Sequence, residues 1–136
     1  MKKVVFFFLG VITLMGAAVV SLWNWLPTEK EIKGCMTTKM YHVELCPGSK
    51  NYVPLNQISQ NLQKAIVLTE DSTFFTHNGF DWGSIEKNAR EGWESGSFKK
   101  GGSTITQQLA KNMFLTGDRT FIRKGVEAII TDRIEN

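Results

Sequence analysis

Gly101-Gly102-Ser103-Thr104-Ile105-Thr106-Gln107-Gln108-Leu109-Ala110-Lys111-Asn112-Met113-Phe114 is the stretch whose reading decides the fold. Two glycines and two hydroxyl residues open directly into a run in which Ile105, Leu109 and Met113 recur every four positions, the spacing of one helical face. This predicts a helix from about Thr104 to Phe114. Its apolar stripe is Ile105, Leu109 and Met113, and Thr104, Gln107, Gln108 and Lys111 lie on the face turned away. Ahead of the helix, Lys99, Lys100, Gly101, Gly102, Ser103 and Thr104 combine cations, hydroxyls, permissive backbone and a helix N-terminus, which together suit an anion such as phosphate. The loop is not a P-loop, because no Lys-Ser or Lys-Thr follows the glycines at that spacing. A flexible connection with a capped helix is the plainer alternative.

Helical spacing continues on both sides. Leu55, Ile58, Leu62 and Ile66 step by three and four, predicting a helix that ends near Glu70. Asp81 is an expected N-cap for a helix burying Trp82, Ile85, Ala89 and Trp93, broken by the Gly and Ser residues of 95–102. A last helix is expected from about Thr120, burying Ile122, Val126, Ile129, Ile130 and Ile134, with Arg123 and Glu127 four apart on another face. No useful strand alternation and no internal repeat is present, so the expected class is mainly α.

Towards the N-terminus the composition changes. Val4 to Leu26 holds 18 apolar residues in 23 and no charge. At about 1.5 Å per residue such a helix spans a hydrocarbon core of about 30 Å. Lys2 and Lys3 before it predict a cytoplasmic N-terminus, and Trp23 and Trp25 fall where an interfacial aromatic belt belongs. The rival is a cleaved signal peptide with Gly16, Ala17 and Ala18 flanking the cut, against which the apolar run is long. The expected division is a tail over 1–3, a membrane helix over 4–26, a juxtamembrane segment over 27–50 and a domain over 51–136.

Of 16 basic side chains in the 136-residue chain, Lys2 and Lys3 precede the apolar run, leaving 14 against 13 acidic ones beyond it. That near-neutral balance disfavours nucleic acid as a partner. Cys35 and Cys46, the only cysteines, are expected to pair in an oxidising compartment and staple the segment Thr37 to Ser49 as a small hairpin or loop. Two free thiols are the alternative. His42 stands alone as a structural or solvated residue, and the sequence holds no metal-ligand cluster.

Three polar groups are candidates for chemistry. Glu70 and Asp71, followed by Phe74, His77 and Gly79, end the apolar run Ala65 to Leu68, where a partly desolvated carboxylate makes a usable general base. A solvated helix end is the alternative. The glycine loop and its helix are the second group. Arg123, Lys124 and Glu127 are the third, and an ordinary intrahelical ion pair accounts for them when they are judged alone.

Taken together, Glu70-Asp71-Ser72-Thr73-Phe74-Phe75-Thr76-His77-Asn78-Gly79, the run Gly101 to Asn112, and Arg123-Lys124-Gly125-Val126-Glu127 closely resemble the first three motifs of the family 51 glycosyltransferases. These are the peptidoglycan glycosyltransferases that polymerise lipid II. The resemblance covers about residues 55–135 and looks like the monofunctional branch. It implies a lysozyme-like α-helical domain at the outer face of the bacterial inner membrane, releasing a polyprenyl diphosphate. It also implies further helices beyond Asn136, so that Asn136 is not expected to be a natural domain edge.

By motif, Glu70 would be the general base and Glu127 the second cleft carboxylate, on the diphosphate side. Gly101, Gly102, Ser103, Thr104, Gln107, Gln108, Lys111, Asn112, Arg123 and Lys124 would line the donor, and Asp71, Phe74 and His77 would shape the first motif. No cofactor is required, and a divalent cation, Mg or Mn, shielding the diphosphate is compatible with the resemblance. Lipid II, the growing glycan, membrane lipid and other wall-synthesis or division proteins are the implied partners. A membrane-anchored muramidase or lytic transglycosylase, and an inactive module that binds wall precursors, are the alternatives. A hydrolase expels an alkoxide and needs a protonated acid, whereas a lipid diphosphate leaves as a stable anion and needs positive charge nearby, which Lys111, Arg123 and Lys124 supply.

Overall fold

The computed structural model describes residues 2–50, 52–97, 101–118 and 120–136. Lys99 and Lys100 of the expected anion loop lie outside the described residues. The order is α1 (Lys2–Trp25), α2 (Glu29–Ile32), α3 (Gln60–Glu70), α4 (Trp82–Ser95), α5 (Ile105–Phe114) and α6 (Phe121–Glu135), with short 3-10 turns at Leu55–Gln57 and Phe74–Thr76. Among the described residues the extended structure is confined to one antiparallel bridge, Thr37 to Glu44. The mainly α class holds.

From Val4 onward α1 is exposed, and an 18-residue stretch of the apolar span has a mean hydropathy of 2.5, so the helix is long and apolar enough to cross a membrane. Its helix stops at Trp25, one residue before the expected boundary, because Leu26 and Pro27 turn into the packed domain and are buried. The core is small: Leu26, Ala110, Met113, Phe114, Leu115, Val126 and Ile130, flanked by Ile32, Met36, Leu45 and Ile134. α5 against α6 is its centre, and residues 27–50 pack on that pair rather than hanging as a linker.

Two devices tie 27–50 down. The Cys35 and Cys46 sulfurs are bonded, with Cα atoms 4.6 Å apart. The hairpin's Lys39 and Met40 N–H groups donate to the Met113 and Asn112 carbonyls at the end of α5, at 3.0 and 3.2 Å. His42 occupies the exposed hairpin tip with a positive φ of 53°.

Side chains start the helices. Ser59, Asp81, Thr104 and Thr120 each accept a backbone N–H three residues on, satisfying a donor that the first turn leaves free. The expected helix from Leu55 therefore begins only at Gln60: the extended backbone at Ile58 breaks the run, and Ser59 restarts it.

The expected buried stripes are corrected at several positions. Leu55, Leu62 and Ile66 are exposed, as are Trp82, Ala89 and Trp93, because no described element covers those faces of α3 and α4. On α6, Val126 and Ile130 are buried and Ile134 partly so, but Ile122 and Ile129 are exposed, the helix turning them past the edge of α5. On α5 the inward side is Thr106, Gln107, Ala110, Met113 and Phe114. Leu109 is exposed, while Thr104 and Gln107, expected on the outer face, are buried because they cap each other.

Candidate active site

The first motif ends α3. Its C-cap is Asp71, whose buried carboxylate accepts the Ile105 N–H at 3.0 Å, receives His77 Nε2 at 3.0 Å and lies 3.4 Å from Thr73 Oγ1. Asp71 and His77 are thus a joint beneath the site, tying the first motif to the N-terminus of α5. Phe74 packs edge-on against Phe75 and His77.

Glu70 is exposed, since α3 is not covered, and the desolvation expected from its apolar neighbours does not arise. Its Oε2 accepts from Gln108 Nε2 at 2.8 Å. Gln108 Nε2 also reaches the Ser103 carbonyl at 3.5 Å, and Lys124 Nζ donates to Ser103 Oγ at 3.3 Å. Lys124 bonds Glu127 Oε1, and Arg123 donates to Glu127 Oε2 at 2.7 Å. One continuous polar chain therefore runs from Glu70 through Gln108, Ser103 and Lys124 to Glu127, uniting groups that the sequence separates by up to 57 positions.

Glu127 is only 2% exposed. A carboxylate so buried is tolerated because each of its oxygens is met by a cation. With two cations on one carboxylate, the cluster carries one net positive charge.

The Glu70 and Ser103 end of the chain opens on a cavity of about 320 Å³, lined also by Ser72, Thr73, Asn88, Gly101, Gly102 and Thr104, whereas Lys124 and Glu127 lie outside its lining. Gly101 and Gly102 take φ of 140° and 105°, accessible to glycine alone at low cost. At Gly102 a Cβ would sit 2.4 Å from Asn88 Nδ2, and Asn88 donates to the Gly101 carbonyl at 3.3 Å. Sequence reading missed Asn88 as a wall of the cavity, since an isolated amide in a helix carries no local signal. Gly79, also at positive φ, lets α6 approach: a Cβ there would lie 2.9 Å from Thr131 and Glu135.

Three other expected residues are engaged structurally. Gln107 returns its side chain to the Thr104 N–H while Thr104 Oγ1 donates to the Gly79 carbonyl, so both are used in holding the loop. Asn112 supplies its carbonyl to the hairpin. Lys111, half-buried, lies one turn beyond Gln107 and Gln108 on α5.

A family model described as Transglycosylase matches residues 38–136. The chain belongs to the transglycosylase family. Among its curated relatives, a biosynthetic peptidoglycan transglycosylase of Neisseria meningitidis serogroup C (strain 053442) is 55% identical over 84 residues, 62% of this chain and 36% of that protein. One from Janthinobacterium sp. (strain Marseille) is 51% identical over the same shares. Another from Neisseria meningitidis is 52% identical over 62% of this chain and 51% of that protein. The chain spans about a third of the length of the first curated relatives it matches. Every link of the polar chain, from Glu70 to Glu127, lies inside the region that the transglycosylase model matches.

Proposed function

We propose that this transglycosylase family member is a membrane-anchored peptidoglycan glycosyltransferase acting on lipid II, with α1 in the inner membrane, its N-terminus cytoplasmic and the site outside. The observation that carries the reading is the polar chain itself: a solvent-reachable carboxylate beside a cavity at one end and a net-positive cluster at the other.

Glu70 is exposed to the cavity and free to take the proton from an acceptor sugar hydroxyl. As that oxygen attacks the donor's anomeric carbon, the bond to the lipid diphosphate breaks and the leaving group departs with the electron pair. Lys124 and Arg123 meet the charge that develops there, with Lys111 nearby on α5. Glu127, saturated by those two cations, acts by holding them in position and is a positioning residue rather than a proton donor.

A divalent cation has no cage prepared for it among the described residues. The one group of three ligating side chains within reach of each other is Cys35, Glu44 and Cys46, whose sulfurs are bonded to one another. No step here is routed through a metal.

The test is turnover of labelled lipid II by the chain in bilayers, beside binding of an unreactive donor analogue. Glu70→Gln keeps shape and hydrogen bonding, and is expected to slow turnover about 10²- to 10⁴-fold with donor binding little changed. Lys124→Ala is expected to weaken both. Parent-rate polymerisation by Glu70→Gln overturns the assignment of the base.

A further inference from the structure

The last turn of α1 is gripped on two sides. Trp23 and Trp25 are two residues apart, about 200° around the helix axis, and so project from nearly opposite faces. The Arg133 guanidinium lies 4.2 Å from the Trp23 ring centroid, and its Nη1 donates to the Pro27 carbonyl at 3.0 Å. The Lys39 ammonium lies 5.5 Å from the Trp25 ring centroid.

The two cations come from different elements, and each element reaches the candidate site. Arg133 stands six residues after Glu127 on α6, about 9 Å along the axis. Lys39 is on the stapled hairpin, whose backbone is hydrogen-bonded to the end of α5, the helix that carries Gln108. Between them Leu26 is 4% exposed in the core and serves as the pivot. A pivot alone leaves the helix free to swing, whereas cations on opposite faces restrict that swing.

We infer that Trp23–Arg133 and Trp25–Lys39 form a two-sided clamp that fixes the angle between α1 and the α5–α6 pair, and so presents the site to the bilayer in one orientation. This rests on the reading of α1 as a membrane helix. Tryptophans serving only as a lipid-interface belt would need no cation from α6 or from the hairpin. Arg133, Lys39 and the two rings are positioning residues, since all of them act through the helices that hold Glu127 and Gln108.

The experiment places spin labels at Val5→Cys, on α1, and Leu109→Cys, on α5, in the full chain in lipid nanodiscs. Both native cysteines are already paired. The parent is expected to give one narrow distance distribution. For each exposed cation–ring contact removed, by Trp23→Leu or Lys39→Gln, the ratio of aligned to tilted arrangements is expected to fall about two- to fivefold. Removing both is expected to lower it about four- to twenty-fivefold, because the two contacts are independent and their factors multiply. Arg133→Lys, which keeps the cation, should restore most of the narrow population that Arg133→Gln loses, a rescue that a purely structural role for the arginine fork would not give. Distributions unchanged in Trp23→Leu combined with Lys39→Gln overturn the clamp. A narrow parent distribution that broadens in the variants supports it even if the chain turns over no lipid II, an outcome that removes only the catalytic reading.

Discussion

α5 and α6 differ from α3 and α4 in one respect that matters: partners. All four are amphipathic or partly so, yet α5 and α6 bury five and four residues, whereas α3 buries none and α4 only Gly92. Trp93 on α4 is 86% exposed and Ile130 on α6 is wholly buried, although each sits on the apolar face its spacing defines. Periodicity says which face of a helix is apolar. It does not say whether anything covers that face. The site straddles the difference, with Glu70 on the uncovered side and Glu127 on the covered one.

The largest expected effect that can break this comparison comes from truncating one side chain in each region. Ile130→Ala should cost about 2 to 5 kcal/mol, through lost transfer energy and a cavity that α5 and α6 cannot close. Trp93→Ala should stay within about 0.5 kcal/mol. Urea unfolding of the two variants in the same lipid or detergent measures both, and equal losses would mean that α4 is covered after all.

Next in size is the staple on the covered side. Reducing Cys35–Cys46, which are 11 positions apart, should cost about 2 to 3 kcal/mol, because the unfolded chain regains the freedom that the closed loop removed. Thermal melting with and without reductant reads the loss. It should be accompanied by faster hydrogen exchange near Asn112 and Met113, whose carbonyls the hairpin binds, and not in α3. Thiol titration of the denatured, unreduced chain should find no free thiol.

The smallest effect lies on the uncovered side, at Asp81. Hydrogen bonds from the Ser84 hydroxyl and backbone, and then from Thr73, hold its pKa down from 3.8 to about 2. A carboxylate depressed in the folded state contributes stability above its unfolded pKa and loses it as pH falls through the folded value. The contribution of this cap is therefore complete above about pH 4 and should fade between pH 4 and pH 2, its folded titration midpoint. NMR titration of Asp81 checks the midpoint. A value near 3.8 would mean that the cap is not held in solution.

The short-range chemistry was legible in the residues. Asp81 caps where expected, and Thr104 and Thr120 cap helices that were expected to start about there, since a cap needs only its own hydroxyl or carboxylate and an N–H three positions on. Cys35 and Cys46, the long apolar helix and the family motifs were legible for the same reason: each is carried by residue type and local spacing. Leu55 misled because three-and-four spacing continues across the break at Ile58, which only the backbone angles reveal.

What the sequence by itself determined is therefore the helical segments, the apolar α1 and the identity of the polar groups. Only the tertiary structure decided that Glu127 is buried between two cations while Glu70 is open, that Thr104 and Gln107 face inward, and that Trp23 and Trp25 meet Arg133 and Lys39. Those outcomes depend on how α5, α6, the hairpin and the end of α1 pack together. Contacts such as Arg133 to Pro27, made between residues 106 positions apart, leave no trace in the local pattern of either segment.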